Sequence, residues 1–268
     1  MMKKTVGFIG CGNMGSAMIR GMIQSRVVAP DEMFVNDQNL EKMKSLKTDL
    51  GVQIEKTANG LVKKSDIIFL AVKPNVYGVV LEEIKENFTE DKVFVSIAAG
   101  INKAFIENIL GEDKKIVRSM PNTPALVGEG MSALSPNKNM TQEITDEIIG
   151  LFEAFGEAEI IDEYLFHSVI GVSGSSPAYV FKFIEAMADA AVLGGMKREK
   201  AYKFAAQAVL GSAKLLLETG KHPAELKDMV CSPGGTTIEA IASLEKNAFS
   251  GTVIEAIEAC MDKSRDME

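Results

Sequence analysis

Gly10-Cys11-Gly12-Asn13-Met14-Gly15 follows the apolar run Thr5–Ile9 and leads into a helical pattern, Met14–Gln24. A G-x-G-x-x-G spacing between a strand and a helix suits one chemical task. Its glycines allow a tight turn and let backbone approach a pyrophosphate, and the helix presents unpaired N–H groups to phosphate oxygens. Gly10, Cys11, Gly12, Asn13, Met14 and Gly15 are therefore candidate dinucleotide contacts. A tight turn without a ligand is the structural alternative. Asn36-Asp37 ends the second apolar run, 22 residues beyond Gly15. An acid there accepts hydrogen bonds from the adenosine ribose hydroxyls, which favours NAD. Asn36, Gln38, Asn39 and Lys42 could instead hold a 2′-phosphate, and Asp37 could simply cap a helix. NADH and NADPH both stay open as cofactors.

Two further segments follow strand-like runs, where parallel sheets bind ligands. Ala71-Val72-Lys73-Pro74 leaves the run Ile67–Val72, with Pro74 fixing the exit and Lys73 expected as a solvated charge. Arg118-Ser119-Met120-Pro121-Asn122-Thr123-Pro124 carries two prolines that stiffen a loop able to face a nicotinamide, with Asn122 as the cofactor contact; a rigid crossover is the alternative. Near the C-terminus, Ser232-Pro233-Gly234-Gly235-Thr236-Thr237 precedes a helical pattern. Thr236 and Glu239 fit a capping box, and Ser232 with Pro233 resembles a helix start. Two adjacent glycines exceed what a cap needs, and three hydroxyls at a helix N-terminus make a pocket for a small carboxylate. Ser232, Gly234, Gly235, Thr236 and Thr237 are candidate substrate contacts. No metal site can be built from Cys11, Cys231, Cys260, His167 and His222, and no Ser-His-Asp order stands out. His167 is expected as a partly buried core residue and His222 in a turn.

The elements that hold these residues fall into two parts. Strand-like Met33–Asn36, Ile67–Val72, Val93–Ile97, Lys115–Arg118 and Ala158–Ile161 alternate with helical Leu40–Leu50, Asn102–Leu110 and Thr141–Phe155. The apolar Ile67–Val72 suits a strand buried on both faces. The alternation predicts a mostly parallel, doubly wound sheet, an α/β Rossmann-type domain over residues 1–161. From residue 162 to 268 only helical patterns remain, an all-α second domain. Phe204–Leu217 carries one charge, Lys214, in fourteen residues. A helix apolar nearly all round must be buried all round, so a partner subunit is expected to cover part of it.

Composition agrees. The chain has 268 residues, 46% hydrophobic and 25% charged, enough for real cores. A net charge of -8 argues against non-specific nucleic-acid or anionic-membrane binding, both of which need a basic face. Lys3-Lys4 ahead of an uncharged stretch superficially resembles a signal peptide, but four glycines and Asn13 interrupt it and a strand with a turn explains it better. The expected location is the cytoplasm.

Gly10–Gly15, Ala71–Pro74, Arg118–Pro124, Gly174–Val180, Leu216–Pro223 and above all Leu226–Thr237 (LKDMVCSPGGTT) resemble the pyrroline-5-carboxylate reductase family. The likeness runs from the first strand to the final helix. It implies reduction of 1-pyrroline-5-carboxylate to L-proline, the last step of proline biosynthesis, by NADPH or NADH. It also implies that the all-α C-terminal part is a dimerisation domain, with homodimers often assembled into larger rings, and a substrate between the nicotinamide and the SPGGTT loop. By that likeness Ser232, Gly235 and Thr237 hold the carboxylate and the ring nitrogen, with Thr237 beside the reacting bond. An asparagine near the third helix contacts the cofactor in relatives, and Asn59 stands one position out of register with it. Ser176 stands where the family commonly has glycine. A protonated cyclic imine is already a good hydride acceptor, so orientation and charge complementarity matter more than a strong acid.

Two other readings compete with this one. A β-hydroxyacid dehydrogenase resembles G-x-x-G-x-G-x-x-x-K at the start of its helical part; Gly171 and Gly174 match, but Ser176 and Val180 replace the third glycine and the catalytic lysine. A non-catalytic NAD(P)-sensing protein would need no carboxylate pocket.

Overall fold

A computed structural model describes residues 4–268. By contacts the chain divides into two units: one runs to Ser175 and takes in Cys260–Glu268, and the other is Ser176–Ala259. By contacts the segment after Asp162 goes with the first unit as far as Ser175, because Phe166 and Ile170 pack against Met120 and Ala133 of the sheet.

The first unit is built on an eight-stranded sheet: β1 Val6–Ile9, β2 Met33–Asn36, β3 Gln53–Ile54, β4 Ile67–Leu70, β5 Val93–Ser96, β6 Lys115–Met120, β7 Gly130–Pro136 and β8 Gly156–Ile160. Its order is β3-β2-β1-β4-β5-β6-β7-β8. All neighbours are parallel except β6 and β7, which pair antiparallel. The sheet is therefore the expected mostly parallel, doubly wound one.

Helices cover both faces. On one, α1 (Asn13–Gln24), α2 (Leu40–Leu50) and α6 (Gln142–Glu153) pack against Phe8, Phe69 and Val95; the Phe8 and Phe69 rings stack at 4.5 Å. On the other, α3 (Ala58–Lys64), α4 (Tyr77–Ile84) and α5 (Lys103–Leu110) pack against Ile68, Leu70 and Phe94. Burial on both faces is why β1 (VGFI) and β4 (IIFL) are continuous apolar runs. The chain winds outward from β1 to β3 and then resumes at β4 on β1's other side. That reversal opens a crevice at the carboxyl ends of β1 and β4, where such sheets bind ligands.

The short α7 (Phe166–Val169) continues into a π-helical turn, Ile170–Gly174. The second unit holds α8 (Ser176–Leu193), α9 (Arg198–Thr219), α10 (Pro223–Val230), α11 (Thr236–Lys246) and the first part of α12 (Phe249–Arg265). Small residues line the α8–α9 contact: Ala188, Ala201 and Ala205 are buried. The all-round burial expected of Phe204–Leu217 is not provided by one chain. Phe204 is 66% exposed and Leu217 82%. Among the described residues no helix is long and apolar enough to cross a membrane.

Candidate active site

The crevice is a cleft of about 660 Å³ lined by Gly10, Gly12, Asn36, Asp37, Ala71, Val72 and Lys73, with Lys56, Thr57 and Ala58 opposite. Each glycine of the loop has its own reason. Gly10 lies at φ +101, where side chains are strained, and a Cβ there would come within 2.5 Å of the Ala71 carbonyl. Gly15 lets α1 close on the loop, since its Cβ would sit 2.4 Å from the Gly10 carbonyl oxygen. A Cβ on Gly12 would meet nothing within 4 Å. Protein packing does not require that glycine, and it lines the cleft, where a missing side chain leaves room for close approach of a ligand. Gly12 is also the N-cap of α1, and no side chain caps it. The first-turn N–H groups of Asn13, Met14 and Gly15 are thus free to meet an anion. These features fit a dinucleotide.

Asp37 belongs to the loop as much as to β2. Its Oδ2 accepts the Cys11 N–H at 2.6 Å and its Oδ1 the Asn39 N–H at 2.7 Å. The cap of α2 is Asn39, whose side chain accepts from Glu41 and Lys42, so Asp37 is not the cap. Asn36 donates from Nδ2 to the Glu55 carbonyl, and its own carbonyl takes the Gly10 N–H. Burial and the nearby Asp37 charge push the Cys11 thiol up to about 12.

Not every expected contact lines the cleft itself. Cys11, Asn13, Met14, Gly15, Pro74, Asn59 and Asn122 are not among the residues lining the cleft. Asn59 accepts from Asn87 Nδ2 at 2.7 Å. Asn122, nearly buried, donates to the Ser173 carbonyl and accepts the Met131 N–H, stiffening the loop after β6. Arg118 is turned into the protein: its guanidinium lies 4.5 Å from the Phe166 ring centre and donates to Glu163 and Glu268. It is a paired buried charge. His167, half-buried, meets Ser264 Oγ at 3.0 Å. His222 caps α10 by accepting the Ala224 N–H. Among the described residues no His, Cys, Asp or Glu cluster could hold a metal.

In the second unit the SPGGTT turn has separate geometry. Gly234 is left-handed at φ +66, and the Gly235 N–H closes the turn on the Ser232 carbonyl at 3.0 Å. A Cβ on Gly235 would stand 2.3 Å from Ser232 Oγ, so only glycine lets the hydroxyl approach. Gly235 is the N-cap of α11, with no side-chain bond. The expected capping box fails because Thr236 is already the first helical residue, not the cap. Among the described residues the hydroxyls of Ser232, Thr236 and Thr237 have no hydrogen-bond partner. Uncapped N–H groups and free hydroxyls are the donors that a small anion can use.

A family model described as pyrroline-5-carboxylate reductase dimerisation matches residues 163–267, and one described as NADP oxidoreductase coenzyme F420-dependent matches residues 5–100. Over 266 residues the chain is 54% identical to a pyrroline-5-carboxylate reductase of Escherichia coli, covering 99% of each. The chain belongs to the pyrroline-5-carboxylate reductase family. A family member from Methanosarcina acetivorans is 43% identical, with 100% of this chain and 99% of that one covered. The solved pyrroline-5-carboxylate reductase of Coxiella burnetii superposes with a TM-score of 0.95 at 32% identity, over 100% and 99% of the two chains. The Plasmodium falciparum pyrroline carboxylate reductase, solved with NADP bound, gives 0.89 at 34% over the same shares. An archaeal ketol-acid reductoisomerase at 15% identity and a TM-score of 0.66 shares the fold alone.

In this reductase-family chain Lys56, Thr57 and Ala58 stand on the cleft wall but carry only a weak sequence signal. Their signal is a Thr57 N-cap opening α3, whose hydroxyl accepts the Gly60 N–H, a short helix without a strong apolar period.

Proposed function

We propose that the protein reduces 1-pyrroline-5-carboxylate to L-proline with NADPH or NADH, as the last step of proline biosynthesis. The carrying observation is the N-terminus of α11, where free hydroxyls surround uncapped N–H groups. A sensor of the dinucleotide alone has no use for that site. When bound, the reduced nicotinamide supplies a hydride. Gly10, Gly12 and the first turn of α1 hold the pyrophosphate, Asn36 and Asp37 face the adenosine ribose, and Ala71, Val72 and Lys73 form the neighbouring wall. Ser232, Gly234, Gly235 and Thr236 hold the substrate carboxylate through hydroxyl and N–H donors, and Thr237 orients the ring nitrogen. The imine nitrogen carries the proton before its carbon is reduced, so the site must orient more than acidify.

We also propose a homodimer, built from a nucleotide-binding domain of residues 1–161 and a helical domain of residues 162–268, with rings of dimers as its larger assembly. A cytoplasmic location is supported by three unpaired cysteines. Steady-state kinetics with the imine and each reduced cofactor tests the reaction. Oxidation of the cofactor is expected. Binding of NAD(P)H without turnover of this imine, alongside reduction of a keto acid, overturns the reading.

A further inference from the structure

We infer that the cleft selects NADH over NADPH, and that Asp37 sets this preference. The inference rests on the reading of the cleft as a nicotinamide dinucleotide site and goes beyond it, because that reading admits both cofactors.

Asp37 stands at the carboxyl end of β2 and lines the cleft. In a doubly wound sheet the adenosine ribose meets that position. Two properties make the carboxylate a discriminator. The first is immobility: the Cys11 N–H at 2.6 Å and the Asn39 N–H at 2.7 Å hold one oxygen each. Turning away would strand the Cys11 N–H inside the glycine loop, and buried backbone donors are costly to leave unpaired. The second is spare capacity. A carboxylate offers about four acceptor sites, and the backbone uses two. The rest can take the ribose 2′- and 3′-hydroxyls. A 2′-phosphate has no proton to donate at neutral pH and brings negative charge against a carboxylate that cannot retreat.

Three exposed lysines could oppose it: Lys42 on α2, whose charge reaches Cys11 from outside the cleft lining, Lys73 just after β4, and, on the cleft wall, Lys56. Their charges are screened by water in a way that the loop-bound carboxylate is not. Asn39 is occupied in capping α2, and Asn36 donates to the Glu55 carbonyl. Neither is free to greet a phosphate with its whole donor set.

The test is binding, measured by isothermal titration of the full-length protein with NADH and NADPH in the absence of imine. The wild type should bind NADH at least tenfold more tightly. Asp37→Ser should shrink that ratio tenfold or more, chiefly by improving NADPH. Lys56→Met should change the ratio little. Equal affinities or tighter NADPH binding in the wild type overturns the inference. So does an unchanged ratio in Asp37→Ser, or a selective loss of NADPH binding in Lys56→Met. If Asp37→Ser does not fold, the wild-type ratio and Lys56→Met still decide. Selective NADH binding without turnover of pyrroline-5-carboxylate would sink the proposed reaction and leave this inference standing.

Discussion

Thr237 brings one donor and two acceptor positions to the mouth of α11, and none is used among the described residues. Losing such a contact costs ~0.5–1.5 kcal/mol, more where a charged partner is stranded. Thr237→Ala should therefore lower kcat/KM by about one to two decades, at ~1.4 kcal/mol per decade, with cofactor affinity unchanged. Thr237→Ser, which keeps the hydroxyl, should lose much less. Ser232→Ala should act mainly through KM, as its partner is the carboxylate. Since Gly235 and not a threonine caps α11, the melting temperature of Thr237→Ala should stay close to wild type; a large drop with turnover per folded molecule intact would make Thr237 structural. Cys11 yields a different expectation. Its thiol is pushed up to about 12, first by burial and then by Asp37, so the folded protein keeps it protonated at pH 8 and it should resist alkylation, as mapped by mass spectrometry. The sign is that of a raised acid: above about pH 9 the unfolded thiol ionises first, and stability falls until about 12. Much of this site was legible in the sequence, because glycine spacing and hydroxyl-rich turns are local chemistry. Asp37's bond to Cys11 was not, since it joins residues 26 apart through backbone geometry. Nor was the outward-looking Arg118 loop's true state, in which acids from distant segments, Glu163 and Glu268, claim the guanidinium.

Among the elements, α4 shows how the sheet's binding edge is fixed. Tyr77, the first residue of that helix, is fully buried, and its hydroxyl donates to the Leu70 carbonyl at 2.5 Å and receives the Ile97 N–H at 3.3 Å. Ser96 Oγ lies 3.1 Å away, and Ser119 donates to the Ser96 carbonyl. One buried chain of hydrogen bonds thus ties the carboxyl ends of β4, β5 and β6, beside the turn that carries Ala71, Val72 and Lys73. Burial pushes the Tyr77 hydroxyl far above its ordinary value, so it remains a donor throughout the stable pH range. Tyr77→Phe keeps the ring but strands the Leu70 carbonyl and the Ile97 N–H. It should cost about 1–3 kcal/mol, seen as a melting temperature lower by about 2–4 °C per kcal/mol. It should also raise KM for the cofactor more than KM for the imine; equal changes in both would mean that the chain only stabilises the fold. The parallel strands were legible because burial on both faces forces apolar runs. β7 was not. Its residues Gly130-Met131-Ser132-Ala133-Leu134-Ser135-Pro136 carry no β-branched side chain, yet Ser132, Ala133, Leu134 and Ser135 are all buried. Small polar residues read as loop until a neighbouring strand covers them. α3, of seven residues, is too short to show a period.

For the whole molecule, solubility and association depend on different surfaces. The chain carries a net charge of -8, which keeps copies apart at long range. The second unit nevertheless leaves Phe181 66% exposed, along with Phe204 and Leu217 on α9. An apolar surface of that extent marks an interaction site, and the sequence showed it as a helix with a single charge between Phe204 and Leu217. The association should therefore be apolar in character. In sedimentation at micromolar concentration the wild type should contain no measurable monomer. Raising the salt concentration should leave that unchanged or tighten it, because salt screens the repulsion between like-charged copies and does little to apolar contact. Leu217→Lys would bury an ammonium without a partner, which such contacts do not tolerate. It should yield monomer or aggregate, with far-ultraviolet circular dichroism reporting whether the helices survive. A well-folded wild-type monomer, or an oligomer that salt dissociates, would show instead that the exposed face of α9 is not the contact and that charge pairs hold the copies together.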